Sequence, residues 1–393
     1  MKSHFLNTIG LSLIWTIAIS VLPIARSQES PTSPNIKIGQ ILQIEGNVQI
    51  DRDGRILMPT VGTSVYPDDT ILSPENGQAF VQCADGNVAL ASNGQQLLDV
   101  CPPAPEKNEG CPHGVIECPP LGDRQTWENV DFPYILSPHR TMLLDDRPTL
   151  SWSPVEGATN YQVTFFANGE PVGATVETTE TTISYPEDWD ALEPGGYDNF
   201  PISANTIYEF GYSLEVLADT GTTSYDTPRL PAEMEVILLD PDHADRVLQA
   251  RSQIEQLDLV EDAKTVAIAR IYTDNLLVVD AIATLETLVP ANAEPVPEKA
   301  AIYQQLGDLY WNYLGIAPEA EQYYSLAAEV VASDNLEQRT STFEAWGQVL
   351  VALGREEDAI AALTEAKTGY ETLGNLEKVE NLQQQINELQ QSS

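Results

Sequence analysis

Tyr303-Gln304-Gln305-Leu306-Gly307-Asp308-Leu309-Tyr310, answered downstream by Ala320, Tyr324 and Ala327, is the stretch on which the fold turns. Large residues three and four apart line one face of a first helix. Gly307 beside them lets a second helix approach closely, and that helix offers alanine at the crossing and a larger residue one turn on. The same grammar returns at Phe343, Trp346, Gly347 and Leu350, followed by Ala359, Leu363 and Ala366. A weaker copy precedes it: Ile268, Ala269 and Tyr272, then Ala281, Leu285 and Leu288. The small residues at 269, 307 and 347 are spaced by 38 and 40 positions. Neither helix of such a pair can bury its stripe alone, so the pairs must stack. Gly347 to Ala359 and Ala269 to Ala281 are both steps of 12, whereas Gly307 to Ala320 is 13. One residue is therefore expected to be inserted in the turn of the middle copy, within Leu314–Pro318.

These residues resemble tetratricopeptide repeats, helix–turn–helix units of about 34 residues. The family's closing proline has no counterpart here, and the connectors are longer. The resemblance implies a solenoid over 241–393, with Asn375–Leu389 as its capping helix. It also implies a concave surface lined by first-helix residues that holds a protein or peptide partner. Transferred position by position, that surface comprises Val266, Arg270 and Thr273, then Gln304, Asp308 and Trp311, then Glu344, Gln348 and Val351. Arg270, Gln304, Asp308, Trp311, Glu344 and Gln348 are the expected partner-binding residues. Trp311 is the expected anchor, because a large aromatic on a polar face suits a hot spot. The competing place for its ring is the inserted turn at Tyr313-Leu314.

Toward the N-terminus, Lys2 and His4 precede an uncharged run from Phe5 to Leu22 that ends at Ala25-Arg26-Ser27. A basic start, an apolar core and small residues before a cut describe a secretory signal over 1–27. An uncleaved anchor is the alternative, since the run approaches spanning length. An exported protein, periplasmic or extracellular, is expected. The formal net charge of −40, from 19 basic and 59 acidic residues, repels nucleic acid and anionic lipid surfaces. It suits a solvated acidic exterior.

Residues 36–100 alternate like short strands, with Asp51-Arg52-Asp53-Gly54 and Asp85-Gly86 as turn signals. The order Glu45-Gly46-Asn47-Val48, Val61-Gly62, Pro67-Asp68-Asp69-Thr70-Ile71 and Ala84-Asp85-Gly86-Asn87 resembles FecR-type β domains, modules of exported proteins. The cytoplasmic segment and membrane helix of the iron-signalling members are absent, so that role is not carried over. Asp51-x-Asp53-Gly54 lacks the closing glutamate of a calcium loop and reads as turn chemistry. Residues 101–140, rich in proline, read as a linker braced by disulfides. Cys83, Cys101, Cys111 and Cys118, an even number in an exported chain, imply two bridges. Cys83 with Cys101 and Cys111 with Cys118 is the tidy pairing among three that are possible. A metal site from Cys101, Cys111, His113 and Cys118 is the weaker reading, because paired knuckles are missing.

Residues 141–240 read as a second β unit. Trp152, Tyr161 and Tyr208, in that order, resemble the core aromatics of a fibronectin type III-like sandwich. Glu187–Asn205 is longer than that family's connection and carries Trp189, Tyr197 and Phe200; packed core and cover for a sheet edge are the main reading of these aromatics, and a lip forming a sugar-binding platform is the lesser one.

No catalytic frame stands out. The histidines are scattered, and no nucleophile elbow, phosphate loop or dinucleotide fingerprint occurs. The expected whole is a multidomain α+β protein: a FecR-like β module, a β-sandwich and a helical solenoid. Its expected role is that of an exported, non-catalytic adaptor or scaffold needing no metal or cofactor. A cell-envelope ligand sensor or glycan-binding protein, recognising through its β modules, is the rival.

Overall fold

The computed structural model describes residues 37–74, 77–101, 132–139, 141–167, 170–190, 192, 212–226, 237–290 and 293–392. The leader, Cys111, His113, Cys118, Tyr197, Phe200 and Tyr208 lie outside them.

The first module is built from β1 (Gly39–Glu45), β2 (Gln49–Arg52), β3 (Arg55–Leu57), β4 (Ser64–Val65), β5 (Thr70–Leu72), β6 (Gln78–Cys83) and β7 (Val88–Ser92), followed by the single turn α1 (Leu97–Val100). They make an antiparallel sheet of order β4-β1-β6-β7 and a smaller one of order β3-β2-β5. Between them lie Ile38, Ile41, Ile50, Val65, Ile71, Ala79 and Val81. The β2–β3 hairpin turns where the sequence signals it, with Asp53 and Gly54 at φ 52° and 80°, the mirror-image turn that matches strand twist. Asp51 accepts the Gly54 N–H there at 2.8 Å. Cys83 and Cys101 form a disulfide that closes the module.

The sandwich follows: β8 (Ile135–Ser137), β9 (Met142–Leu143), β10 (Leu150–Trp152), β11 (Tyr161–Ala167), β12 (Glu170–Pro171), β13 (Val176–Thr178), β14 (Thr182–Ile183), β15 (Tyr212–Ala218) and β16 (Ile237–Leu238). One sheet has the order β14-β10-β8, and in the other β11 pairs with β12, β13 and β15. Since β8 pairs with β10, the sandwich starts inside the stretch expected to be linker. Trp152 and Tyr161 meet edge-to-face at 5.6 Å in its core. Trp189 is 2% exposed and gives its indole N–H to the Ala174 carbonyl. Its ring fills the core, so it supplies no face to a sugar platform. The parallel pair β9–β16 feeds directly into the first helix.

The helical part comprises α2 (Pro241–Glu255), α3 (Glu261–Asp274), α4 (Val278–Glu286), α5 (Ala300–Asp308), α6 (Ala317–Val330), α7 (Leu336–Ala352), α8 (Glu356–Leu373) and α9 (Leu376–Ser392). Helices α3–α4, α5–α6 and α7–α8 are the three expected pairs. A Cβ on Gly307 would stand 2.7 Å from the Tyr324 ring, and one on Gly347 would stand 2.6 Å from Leu363. Both glycines are therefore the close-approach points that the spacing predicts. Ala281, Ala320 and Ala359 on the second helices are fully buried. Helix α9 lays Leu382 and Ile386 against Leu363 and Ala366 and is polar over most of its outer side, with Leu376 exposed at its start, as suits a cap. Among the described residues, no helix is long and apolar enough to cross a membrane.

The extra residue of the middle pair is not in the turn. It is absorbed one turn earlier, where Leu309–Leu314 continues α5 as a π-helical turn. An i→i+5 turn takes up one residue without breaking the helix. Gly315, at φ 70°, then ends it.

Candidate functional site

The face of the first helices that turns away from the second helices is not bare: the β module sits on it. Strand β1, which carries a register shift between Ile41 and Gln43, is covered on both sides, and its neighbouring apolar residues serve one side each. Ile41 faces the module's own core, while Leu42 joins the buried cluster of Ala263, Val266 and Ala267 on α3. Val61, Phe80 and Val88 pack against that same cluster. Polar groups complete the contact. Gln40 donates to Gln82 at 3.1 Å, and Gln82 donates to the Ala267 carbonyl at 3.0 Å, both side chains being buried. Gln43 accepts the Val260 N–H at 2.8 Å, just before α3.

On α5, Gln305 donates to the Gly62 carbonyl at 3.3 Å. Gly62, at φ +87°, lies so close that a Cβ would stand 3.0 Å from that of Ala301. Only glycine satisfies both the backbone angle and this approach. At the far end, Glu337 in the first turn of α7 receives two arginines of the β2–β3 hairpin. Arg52 pairs with it and with Asp69, whose carboxylate lies 2.6 Å away and is fully buried. Arg55 reaches Glu337 at 3.1 Å and the Leu373 carbonyl of α8 at 3.5 Å. The sandwich touches the middle pair elsewhere: Tyr134 donates to Glu319 at 2.6 Å, and His139 Nε2 lies 3.1 Å from the Leu314 carbonyl.

The expected partner-binding residues divide. Trp311 is 4% exposed and packs with Ala317, Ala320, Tyr324 and Val349 between the second and third pairs. The π turn re-phases the side chains after Asp308 and swings this ring inward. Trp311 is thus a buried ring and not an exposed anchor. Gln304 donates to Ser341 at 3.1 Å and accepts from Thr342 at 3.1 Å, bridging α5 to α7. Glu344 accepts from Tyr370 and from Lys378, both at 2.6 Å, and so ties α7 to α8 and α9. Asp308 accepts the Tyr324 hydroxyl at 2.6 Å. Burial pushes its carboxyl up to about 6, with the Tyr324 hydrogen bond and the Lys37 charge acting the other way. Arg270 pairs with Asp274 at 3.4 Å. Gln348 is half-buried, and Val351 one turn on is exposed.

Sequence reasoning missed Leu42, Arg52, Gly62, Gln82, Gln305 and Glu337. One signal was present: Ile41-Leu42 breaks strict alternation, as a strand covered on both faces does.

A concavity of about 490 Å³ opens between the sandwich edge and α2–α4, lined by Leu144, Asp145, Asp146, Leu248, Arg251 and Asp280 among others. Burial, then the Asp145 charge, push the Asp280 carboxyl up to about 6.

Neither a protein-family model nor a curated protein matches the chain. Solved structures similar to it include the TPR-like repeats of a putative kinesin light chain from Podosopora anserina. That likeness has 18% identity over 39% of this chain and 89% of that one, with a TM-score of 0.28. MamA of AMB-1 is 19% identical over 38% of this chain and 94% of its own, at 0.25. BtubC from P. vanneervenii is 16% identical over 38% and 73%, at 0.25.

Proposed function

We propose that the chain is an exported, non-catalytic scaffold that binds a protein or peptide partner with the first-helix face of its array. One observation carries this reading. That face already holds a folded stretch of polypeptide, through apolar contact, side-chain amides on backbone carbonyls and paired charges. This is the mixture by which proteins recognise one another. The β module takes the ends of the first helices near Ala263, Ala301 and Glu337. The partner takes the part beyond, at Arg270, Gln348 and Val351, with Asp308 behind them. Gln304, Trp311 and Glu344 hold the helices in register and act through the shape of the face.

The test places a photo-crosslinking amino acid at Val351 in the full chain, with Thr364 on the outer side of α8 as the control position. After exposure to the contents of the chain's own compartment, a discrete adduct at Val351 that unmodified chain competes away is expected. Equal adducts at both positions, or none at Val351, would overturn the proposal.

A further inference from the structure

We infer that the β module is a detachable occupant of the first-helix face, so that the full chain rests in a closed state that leaves only the part beyond the module open, and release of the module enlarges the surface a protein partner can take. This rests on the reading of that face as partner-binding and adds how access to it is controlled. The module has a core of its own, closed by its own disulfide, and that core is separate from the cluster it covers. Its attachments are also arranged so that leaving strands few groups. Arg52 keeps the buried Asp69 when Glu337 goes, because Asp69 belongs to the module. Gln82 keeps Gln40 when the Ala267 carbonyl goes. Polar groups that retain a partner escape the penalty of an unmet buried donor. What holds the module down is Leu42 with Phe80, and one carboxylate, Glu337, shared by two arginines. Loss of that burial on opening keeps the closed form dominant. A partner preferring the open form shifts the balance only by its difference in affinity for the two.

The experiment uses the full chain carrying Ala301→Cys, a probe one sulfur larger that lies under Gly62, with Ala301→Ser as the matched variant whose unfolding midpoint reports whether the added atom disturbs the contact. Labelling of this thiol by a maleimide is followed by peptide mass. It is compared in the parent, in Glu337→Arg, in Arg55→Glu and in the exchange R55E/E337R. Labelling is expected to be slow in the parent, roughly tenfold faster in each single variant, and slowed again in the exchange. Hydrogen exchange at β1 and β6 should be unchanged throughout. Should Glu337→Arg fail to fold, Arg55→Glu on the exposed hairpin still reads the same contact. Equal labelling in all folded variants would overturn the inference. So would faster labelling that comes only with lost protection of β1 and β6, since module and array would then be one cooperative core. Adding the Val351 crosslinker separates the two proposals. Faster labelling without a Val351 adduct leaves closure standing and removes the partner reading. A Val351 adduct of equal yield in all variants, with the introduced thiol protected throughout, does the reverse.

Discussion

The first helices α3, α5 and α7 have two working faces, and the two are made differently. Toward α4, α6 and α8 they present small residues into which large ones lock, as Tyr324 does over Gly307 and Leu363 over Gly347. Toward the β module they present alanines, glutamines and a carboxylate, answered by Leu42, Gln82, Arg52 and Arg55. The first face is close-packed and intolerant of volume change. The second is a mixed surface, in which Arg52 and Gln82 also have partners within the module. One helix can therefore belong to a close-packed core on one side and to a mixed interface on the other.

Four changes test how sharp that difference is. Trp311→Ala on the locked side should cost most, about 3–5 kcal/mol, in denaturant unfolding of the full chain. A loss below about 1 kcal/mol would return this ring to the surface. Gly307→Val comes next at about 1–3 kcal/mol, because its methyls must displace the Tyr324 ring; an unchanged midpoint would mean the pair is loosely packed.

Asp308→Asn goes the other way. The carboxyl's folded value is raised, so between its ordinary value of 3.8 and about 6 the folded chain holds a proton that the unfolded chain releases. Stability from this group therefore falls as pH rises through that window and stays lower above it. Asparagine still accepts the Tyr324 hydroxyl and should raise stability at pH 7 by on the order of 1 kcal/mol. It should also remove that share of the decline between pH 4 and 6, which thermal melts across pH will read. Smallest of all, Lys367→Ala breaks an exposed pair with Glu371 and should shift stability by less than about 0.5 kcal/mol. A larger shift would place the outer surface among the structural elements.

The pairing of helices was legible because its causes are local: a glycine, and an alanine twelve or thirteen residues on, lie within one unit. The Asp51–Gly54 turn and the apolar spacing of Leu382 and Ile386 were legible for the same reason, whereas the Cys83–Cys101 bridge belongs to one of three pairings the sequence left open. The candidate site was less so. Trp311 occupies a position that faces a partner only if the helix keeps its period, and the extra residue of that repeat alters the period within the helix. Trp189 is core, as the main reading of its segment has it, but the acceptor for its indole, Ala174, lies 15 residues away and has no local signal.

By itself the sequence determined which segments are strand or helix and which helices pair, since periodicity and small-residue spacing act within a few turns. Only the tertiary structure decided that a β module lies across the array. The groups that meet there, Arg52 and Glu337 or Gln82 and Ala267, are separated by 285 and 185 residues. Glutamine, arginine and glutamate at those places look like ordinary surface until a distant partner buries them, because complementarity belongs to two surfaces together and leaves no period in either.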